Sequence, residues 1–278
     1  MKDLDAALDV LASEDPARRV RTLGLDELRQ FCGDHGLTLP QGARKALARE
    51  IVPRPFLKNL HTLRVDEQDR LMGSTVLLAG AGGLGGYVLE LLARFGVGRI
   101  MVADGDGFEE SNLNRQLLAT ADDLGRNKAL AGARRALRTC PLVTVEPLEF
   151  FLDAANLDET LVGVDVVVDA LGGIAPRLAL HQAASRAKIV VVSAGVAGWT
   201  ALVGSERPGQ TGISRMWTDP SDKDAEHVLG SLAPVASLAA AVQAAETVQY
   251  LVDGSLRLAG RMLHADLSEF RFEIYDLS

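Results

Sequence analysis

From Gly73 onward the chain is punctuated by short apolar runs separated by glycine turns and amphipathic stretches. Thr75 to Ala79, Ile100 to Ala103, Val143 to Glu146, Asp165 to Ala170 and Ile189 to Ser193 are rich in β-branched residues and too short for helices. Such runs predict strands buried on both faces, as in a parallel sheet. Tyr87 to Phe95, Arg126 to Arg138 and Pro176 to Ala187 read as the helices between them, the second with a basic face. This alternation predicts an α/β fold: a Rossmann-like, doubly wound, mostly parallel sheet. A glycine-rich turn at Gly195 and Gly198 precedes Val203 to Asp224, whose Gly, Pro and Asp content predicts a mobile crossover loop. Ala233 to Val252 predicts a long alanine-rich helix, and Gln243, Glu246 and Gln249 mark it as packed rather than membrane-spanning.

The first 50 residues have a different pattern. Leu4, Ala7, Leu8 and Leu11 share one helical face. Leu25 to Phe31 and Gly42 to Ile51 suggest two more short helices, with Asp26 as a start signal and Gly36 and Pro40 between them. The expected organisation is a small helical appendage over 1–50 and a nucleotide-binding domain over 51–278, with Pro53 and Pro55 in the linker.

The strongest local signal is TVLLAGAGGLGG, where Gly80, Gly82 and Gly85 have G-x-G-x-x-G spacing between a predicted strand and a predicted helix. Glycine allows a tight turn and close approach of backbone N–H groups, and a helix N-terminus favours negative charge, so this unit predicts a phosphate site. The next strand ends at Asp104, placed to accept from ribose hydroxyls. These features fit NAD, FAD, SAM or ATP equally. The following residues narrow the choice. Asn112, Asn114, Arg115 and Gln116, then Arg126 and Lys128, bring cations beside the glycine loop. Arg115 can fork onto phosphate oxygens and Lys128 can act as a point charge, which suits a triphosphate better than a dinucleotide.

The series GAGGLGG, DGD, ESNLNRQ and GRNK, from about Phe56 to the C-terminus, resembles the ThiF/MoeB/HesA family, bacterial relatives of ubiquitin-activating enzymes. LGSLAPVASLAAAVQAAETVQYLV and LAGRMLHADLSEFRFEIYDL are similar to that family's closing helix and strands. The resemblance implies ATP-dependent adenylation of the C-terminal carboxylate of a ubiquitin-like sulfur-carrier protein with a Gly-Gly tail, by a homodimer. It implies that Gly83 lies against the nucleotide, that Asp104, beside Asp106, holds the ribose, and that Ser111, Asn112, Asn114 and Arg115 contact the phosphates and ribose region. Lys128 would neutralise the triphosphate and the charge that develops at the α-phosphorus.

Three departures accompany it. Where the family places an Asp-Asn pair whose acid holds Mg²⁺, this chain has Gly172 and Gly173. Glycine has no side-chain oxygen for that hard cation, which leaves Asp169, three residues upstream, as the candidate ligand. Lys58, in FLKN, occupies the place of an arginine that reaches an ATP, in many dimers the partner's. The only cysteines, Cys32 and Cys140, build neither a zinc site nor a crossover thiol, so no thioester step is expected. His35, His61, His181, His227 and His264 show no catalytic or metal-binding spacing.

Composition narrows the class further. With 278 residues and 47% apolar content there is material for one sizeable α/β core and an appendage. The net charge of −8 argues against a nucleic-acid partner. No leader-like N-terminus or transmembrane-length run is read, so the expected compartment is the cytoplasm. Two alternatives remain open: a non-catalytic subunit of the same fold that binds nucleotide or carrier, and a remote NAD-type oxidoreductase, which would leave Asn112 to Lys128 unused.

Overall fold

The computed structural model describes residues 4–210, 212–217 and 225–277. Helix α1 (Leu4–Leu11), strands β1 (Ser13–Asp15) and β2 (Val20–Leu23), helices α2 (Leu25–His35) and α3 (Leu39–Ala48) and strand β3 (Ile51–Pro53) form the N-terminal part. Helix α4 (Val65–Gly73) leads into β4 (Thr75–Ala79), α5 (Gly85–Phe95) and β5 (Arg99–Ala103). Then come α6 (Lys128–Thr139), β6 (Thr144–Leu148), α7 (Leu157–Thr160), β7 (Val166–Asp169), α8 (Ile174–Arg186), β8 (Val190–Ala197) and β9 (Thr200–Glu206). The chain closes with α9 (Ala225–Leu229), α10 (Ala233–Asp253), β10 (Arg261–Asp266) and β11 (Arg271–Asp276).

The main sheet has eight strands in the order β11-β10-β9-β8-β7-β4-β5-β6. Strands β6, β5, β4, β7 and β8 pair in parallel, and β9, β10 and β11 add antiparallel pairings at one side. Alternate residues face two apolar layers. Val76, Leu78, Ile100, Val102, Val166 and Val168 join the larger core with α5, α6 and α10. Leu77, Ala79, Met101, Ala103 and Val167 face the smaller one, with Leu157, Leu161, Leu180 and Ala184. This two-sided burial is what the continuous apolar runs encode.

Several boundaries differ from the sequence reading. Strand β6 runs through Pro147 to Leu148, and this is tolerated because β6 is the edge strand, where a missing N–H leaves no neighbour unpaired. Helix α6 starts at Lys128, because the Asn127 side chain accepts the Leu130 N–H at 3.0 Å and caps it. The expected loop from Val203 to Asp224 opens with strand residues, since β9 extends to Glu206. Gly204 looked like a loop residue but pairs with Met262, and a side chain there would come within 2.8 Å of the Arg261 carbonyl. It therefore marks a close strand approach. Residues 211 and 218–224 of that expected loop lie outside the described residues.

The N-terminal part contains a small three-stranded sheet in the order β1-β2-β3, with β2 and β3 parallel. Strand β3 lies beyond the boundary expected at residue 50, so the small sheet draws residues from both sides of it. Leu8, Leu23, Phe31, Leu47 and Phe56 belong to the same buried cluster as Leu71, Leu92 and Ile100. Phe56 packs against the C-terminal end of α5: a Cβ on Gly96 would sit 2.7 Å from its ring. Gly96 has φ of 85°, the left-handed cap expected after a helix, which glycine adopts without strain.

Helix α10 is long and apolar enough to cross a membrane, but most of its apolar stretch is buried, against α4, α5, β8 and β9. Gln243 and Glu246 are buried in it and hydrogen-bonded: the Gln243 Nε2 donates to the Asp169 carbonyl at 2.9 Å, and Glu246 accepts from Ser205 at 2.8 Å. Because Phe56 is fully buried where the N-terminal part meets α5, Phe56→Ala is expected to lower unfolding stability by about 3–5 kcal/mol. Urea denaturation followed by circular dichroism measures this.

Candidate functional site

Strand β4 pairs with β5 on one side and with β7 on the other, so the chain reverses its winding between β4 and β7. Open α/β sheets bind ligands in the crevice at the carboxyl ends of such strands. Here the two loops that edge the crevice touch. Gly80, at φ of 95°, is so close to the loop after β7 that a Cβ would lie 2.6 Å from the Ala170 carbonyl oxygen. A Cβ on Gly85 would collide with the Gly80 carbonyl. These two glycines allow helix, turn and strand to pack closely. Gly82 and Gly83 differ, because added carbons there would meet the Gln116 and Arg115 side chains at ordinary distances of 3.7 and 3.6 Å. They leave room between the turn and the ESNLNRQ segment.

Asp104 fixes the turn from the next strand. Its Oδ2 accepts the Ala81 N–H at 2.8 Å and its Oδ1 the Asp106 N–H at 2.9 Å. Burial pushes its carboxyl above the ordinary aspartate value, opposed by those two N–H groups and by the Lys128 charge. Asn127 donates to the Asp104 carbonyl at 2.9 Å while capping α6, which places Lys128 in the first turn of that helix. Lys128 is 8% exposed, with its Nζ 3.3 Å from the Asp106 carboxylate.

The ESNLNRQ segment begins with a short 3₁₀ turn, Glu110–Asn112. Asn112 is buried and its Oδ1 accepts the Glu109 N–H at 3.1 Å, so it shapes the turn itself. Arg115 donates to the Ser111 carbonyl at 3.0 Å and to Asn114 Oδ1 at 2.9 Å, and its Nε lies 3.3 Å from Glu226 of α9. Asn114 reaches the Ser231 carbonyl at 3.3 Å. Gln116 is buried beside Gly82, with its Oε1 among the buried polar atoms that lack a partner in the described residues. Gly80, Gly82, Gly83, Gly85, Asp104, Asp106, Ser111, Asn112, Asn114, Arg115 and Lys128 thus come from separate segments to one crevice. Two of its cations already face carboxylates.

On the β7 side the expectation for Asp169 is corrected. Asp169 is fully buried, and both its oxygens are taken. Oδ1 accepts the Leu171 N–H at 3.1 Å. Oδ2 meets Arg177 Nη1 at 2.9 Å, Ser193 Oγ at 2.6 Å and His181 Nε2 at 3.1 Å. It is committed to these partners away from water, and among the described residues no cluster of three or more His, Cys, Asp or Glu forms a metal site. The residues present therefore do not fit a protein-held Mg²⁺ at this edge. Gly172 opens onto free space, with no atom within 4 Å of where a Cβ would stand. Gly173 has φ of 78° and ψ of 157°, a region open only to glycine, so the backbone as well as the side chain departs from an Asn there.

Sequence reasoning missed the group around Asp169. His181 Nδ1 lies 2.9 Å from Glu206, so one imidazole bridges two buried acids. Burial alone would depress its pKa, but the bonds and charges of Asp169 and Glu206 raise it to about 9. Burial alone would raise Asp169, whereas Arg177 and His181 hold it down at about 2. Arg177 also donates to the Ala194 carbonyl at 2.8 Å and to the Leu171 carbonyl, with Trp217 4.5 Å from its guanidinium carbon. One signal was available: Arg177 and His181 stand four apart on the predicted helix, hence on one face.

Lys58 is not brought to this crevice within one chain. It is exposed and two residues from Phe56, which packs at the C-terminal end of α5. The glycine turn is at the other end of that 11-residue helix, about 16 Å away.

Residues 56–278 match the ThiF family. The chain belongs to that family. It is 32% identical over 209 residues to the SAMP-activating enzyme E1 of Haloferax volcanii, covering 74% of this chain and 77% of that protein. It is 29% identical over 195 residues to the sulfur carrier protein ThiS adenylyltransferase of Escherichia coli, covering 69% and 78%. The crystal structure of E. coli MccB with ATP superposes with a TM-score of 0.63 at 25% identity, covering 76% of this ThiF-family chain and 65% of MccB.

The raised His181 pKa has a definite sign in stability. Its contribution is complete below the unfolded value near 6.5 and is lost as pH rises toward about 9. The thermal midpoint should fall by several degrees between pH 6.5 and 9, whereas His181→Gln should start lower and stay flat across that window. Differential scanning calorimetry from pH 6 to 10 distinguishes the two curves.

Proposed function

We propose that the protein adenylates the C-terminal carboxylate of a small ubiquitin-like sulfur-carrier protein, with ATP as co-substrate and without a thioester step. The observation that carries this reading is the meeting of Arg115, Lys128 and Asp104 at the open side of the Gly82–Gly83 turn. Phosphates would lie on the turn and the N-terminus of α5, with Arg115 and Lys128 taking their charge, and the ribose would lie against Asp104. A carrier carboxylate oxygen then attacks the α-phosphorus, the bond to the bridging oxygen breaks and pyrophosphate leaves. No protein nucleophile is required, only positioning and charge. Both cysteines are buried and lie elsewhere in the fold, in α2 and after α6, in accord with adenylation alone. The adenylyltransferase named among its relatives supports the reaction class and the carrier. We further propose a cytoplasmic homodimer, in which Lys58 approaches the partner's nucleotide. Family membership weighs against the oxidoreductase alternative.

A second reading keeps the nucleotide site but not turnover. Gly172 and Gly173, with Asp169 committed to Arg177 and His181, favour it.

Exchange of labelled pyrophosphate into ATP, with a Gly-Gly-tailed carrier protein, tests both readings. Exchange is expected, and Arg115→Ala or Lys128→Met should lower it by about a hundredfold or more. Nucleotide binding without exchange would select the non-catalytic reading. Gly172→Asp, which meets no neighbour and needs no left-handed backbone, should lower the Mg²⁺ concentration for half-maximal exchange; titration of MgCl₂ at fixed ATP measures it.

A further inference from the structure

The two edges of the main sheet are unlike. At one edge, β6 carries Pro147, which has no N–H to offer, and its Glu146 is engaged by Arg99 of β5 at 2.6 Å. At the other edge, β11 pairs with β10 along its whole length and contains no proline, glycine or lysine. Every residue of β11 is exposed. Its outer backbone groups form a row that another strand can pair with.

The side chains say what kind of strand. Phe272 stands opposite Ala265 and Ile274 opposite Leu263, so both share the face of the larger core. Helix α10 covers β7, β8 and β9 on that face. The apolar layer then continues uncovered to β11, where Phe272 is 52% and Ile274 55% exposed. Arg271, Glu273 and Tyr275 line the other face, and Tyr275 Oη donates to the Glu273 carboxylate. A strand that completes this edge must offer apolar groups on one face and complementary charge on the other.

Strand β11 itself meets that description. In antiparallel pairing about a two-fold axis normal to the sheet, each copy keeps its core layer on the same side. Charge then selects among the registers. Glu273 opposite itself brings like charges together, and Ile274 opposite itself sets Phe272 against Asp276. With Phe272 opposite itself, two aromatic rings meet at the axis, and Arg271 faces Glu273 of the other copy on both sides of it.

We propose that β11 pairs antiparallel with β11 of a second copy of this chain, centred on Phe272, and joins the two sheets into one. This does not draw on the reading of the crevice. With β10, β9, β8 and β7 between β11 and β4, the two crevices stand about 50 Å apart in the paired form. The contact is therefore distinct from one in which Lys58 approaches a partner's nucleotide, and a chain that uses both forms a tetramer.

Sedimentation velocity over a dilution series tests the pairing on the full chain, on Arg271→Glu, and on Arg271→Glu combined with Glu273→Arg. The single change sets carboxylates against each other and should lower the assembly mass about twofold, whereas the double change restores opposite charges and should return it. A single variant with the wild-type mass overturns the proposal. So does a mass that the double variant fails to recover, or a wild type that stays monomeric throughout. Unchanged masses with pyrophosphate exchange lost in the single variant overturn it as well, and give the edge to the carrier protein instead. Both substituted positions are exposed, so the variants are expected to fold; thermal midpoints beside the wild type verify this.

Discussion

Asp169 carries a charge at a place with no access to water, and much of the crevice is organised to make that tolerable. An isolated buried carboxylate would protonate instead of staying ionised. Here Arg177, His181, Ser193 and the Leu171 N–H all reach it. Those partners come from α8, β8 and the loop after β7, and Glu206 of β9 reaches the same imidazole. Gln243 of α10 ties the Asp169 carbonyl from the other side. Strands β7, β8 and β9 and helices α8 and α10 are thus pinned together beside the point where the sheet reverses direction. Removing one partner leaves an uncompensated buried charge, which costs far more than the pair itself contributes. The network is therefore a fixed frame, unsuited to yielding an oxygen to a cation.

That frame also sets the backbone of the crevice. Arg177 and Asp169 hold Leu171 by its carbonyl and its N–H, and Leu171 leads directly into Gly172 and Gly173. On the other wall, Gly80 lies against Ala170 and Asp104 holds Ala81. The phosphate turn is clamped from β7 and from β5 at once. Glu206 extends the frame outward by accepting the Ser214 N–H at 2.6 Å, and Trp217 lies over Arg177 and against Gly195. The segment that leaves β9 is thereby rooted on the same buried ions that shape the loop after β7.

What the sequence made legible follows from range. Strand periodicity, the glycine turn and the closing helix depend on neighbours a few residues apart, and their pattern survives in a single sequence. The convergence of Gly83, Asp104, Arg115 and Lys128 was readable because the βα units in which they lie have a fixed geometry. Three kinds of feature were not readable. Strands β1 and β2 are too short to show a period, and β2 gains its pairing from β3, across two intervening helices. Strand β9 was hidden by Gly204, whose lack of a side chain serves a close approach that only the tertiary structure reveals. Asp169 looked available because its partners at 177, 181 and 193 are remote in sequence, as is Glu206 behind the imidazole. Charge satisfaction inside a core is a long-range property, and spacing rules do not encode it.

The two kinds of ion pair in the crevice divide the work. Arg177 and Asp169 are almost fully withdrawn from water and held by several bonds each, so a ligand gains nothing by competing for them. Lys128 with Asp106 and Arg115 with Glu226 lie at 3.3 Å, with the carboxylates 57% and 31% exposed. Water reaches these carboxylates, so the pairs hold less firmly than the buried group around Asp169. A phosphate brings more charge and more acceptor oxygens than either carboxylate, so exchanging partners at Arg115 and Lys128 costs little and gains charge-assisted bonds. On the proposed reading, the arrival of a triphosphate also displaces Glu226 and with it the hold of α9 on Arg115.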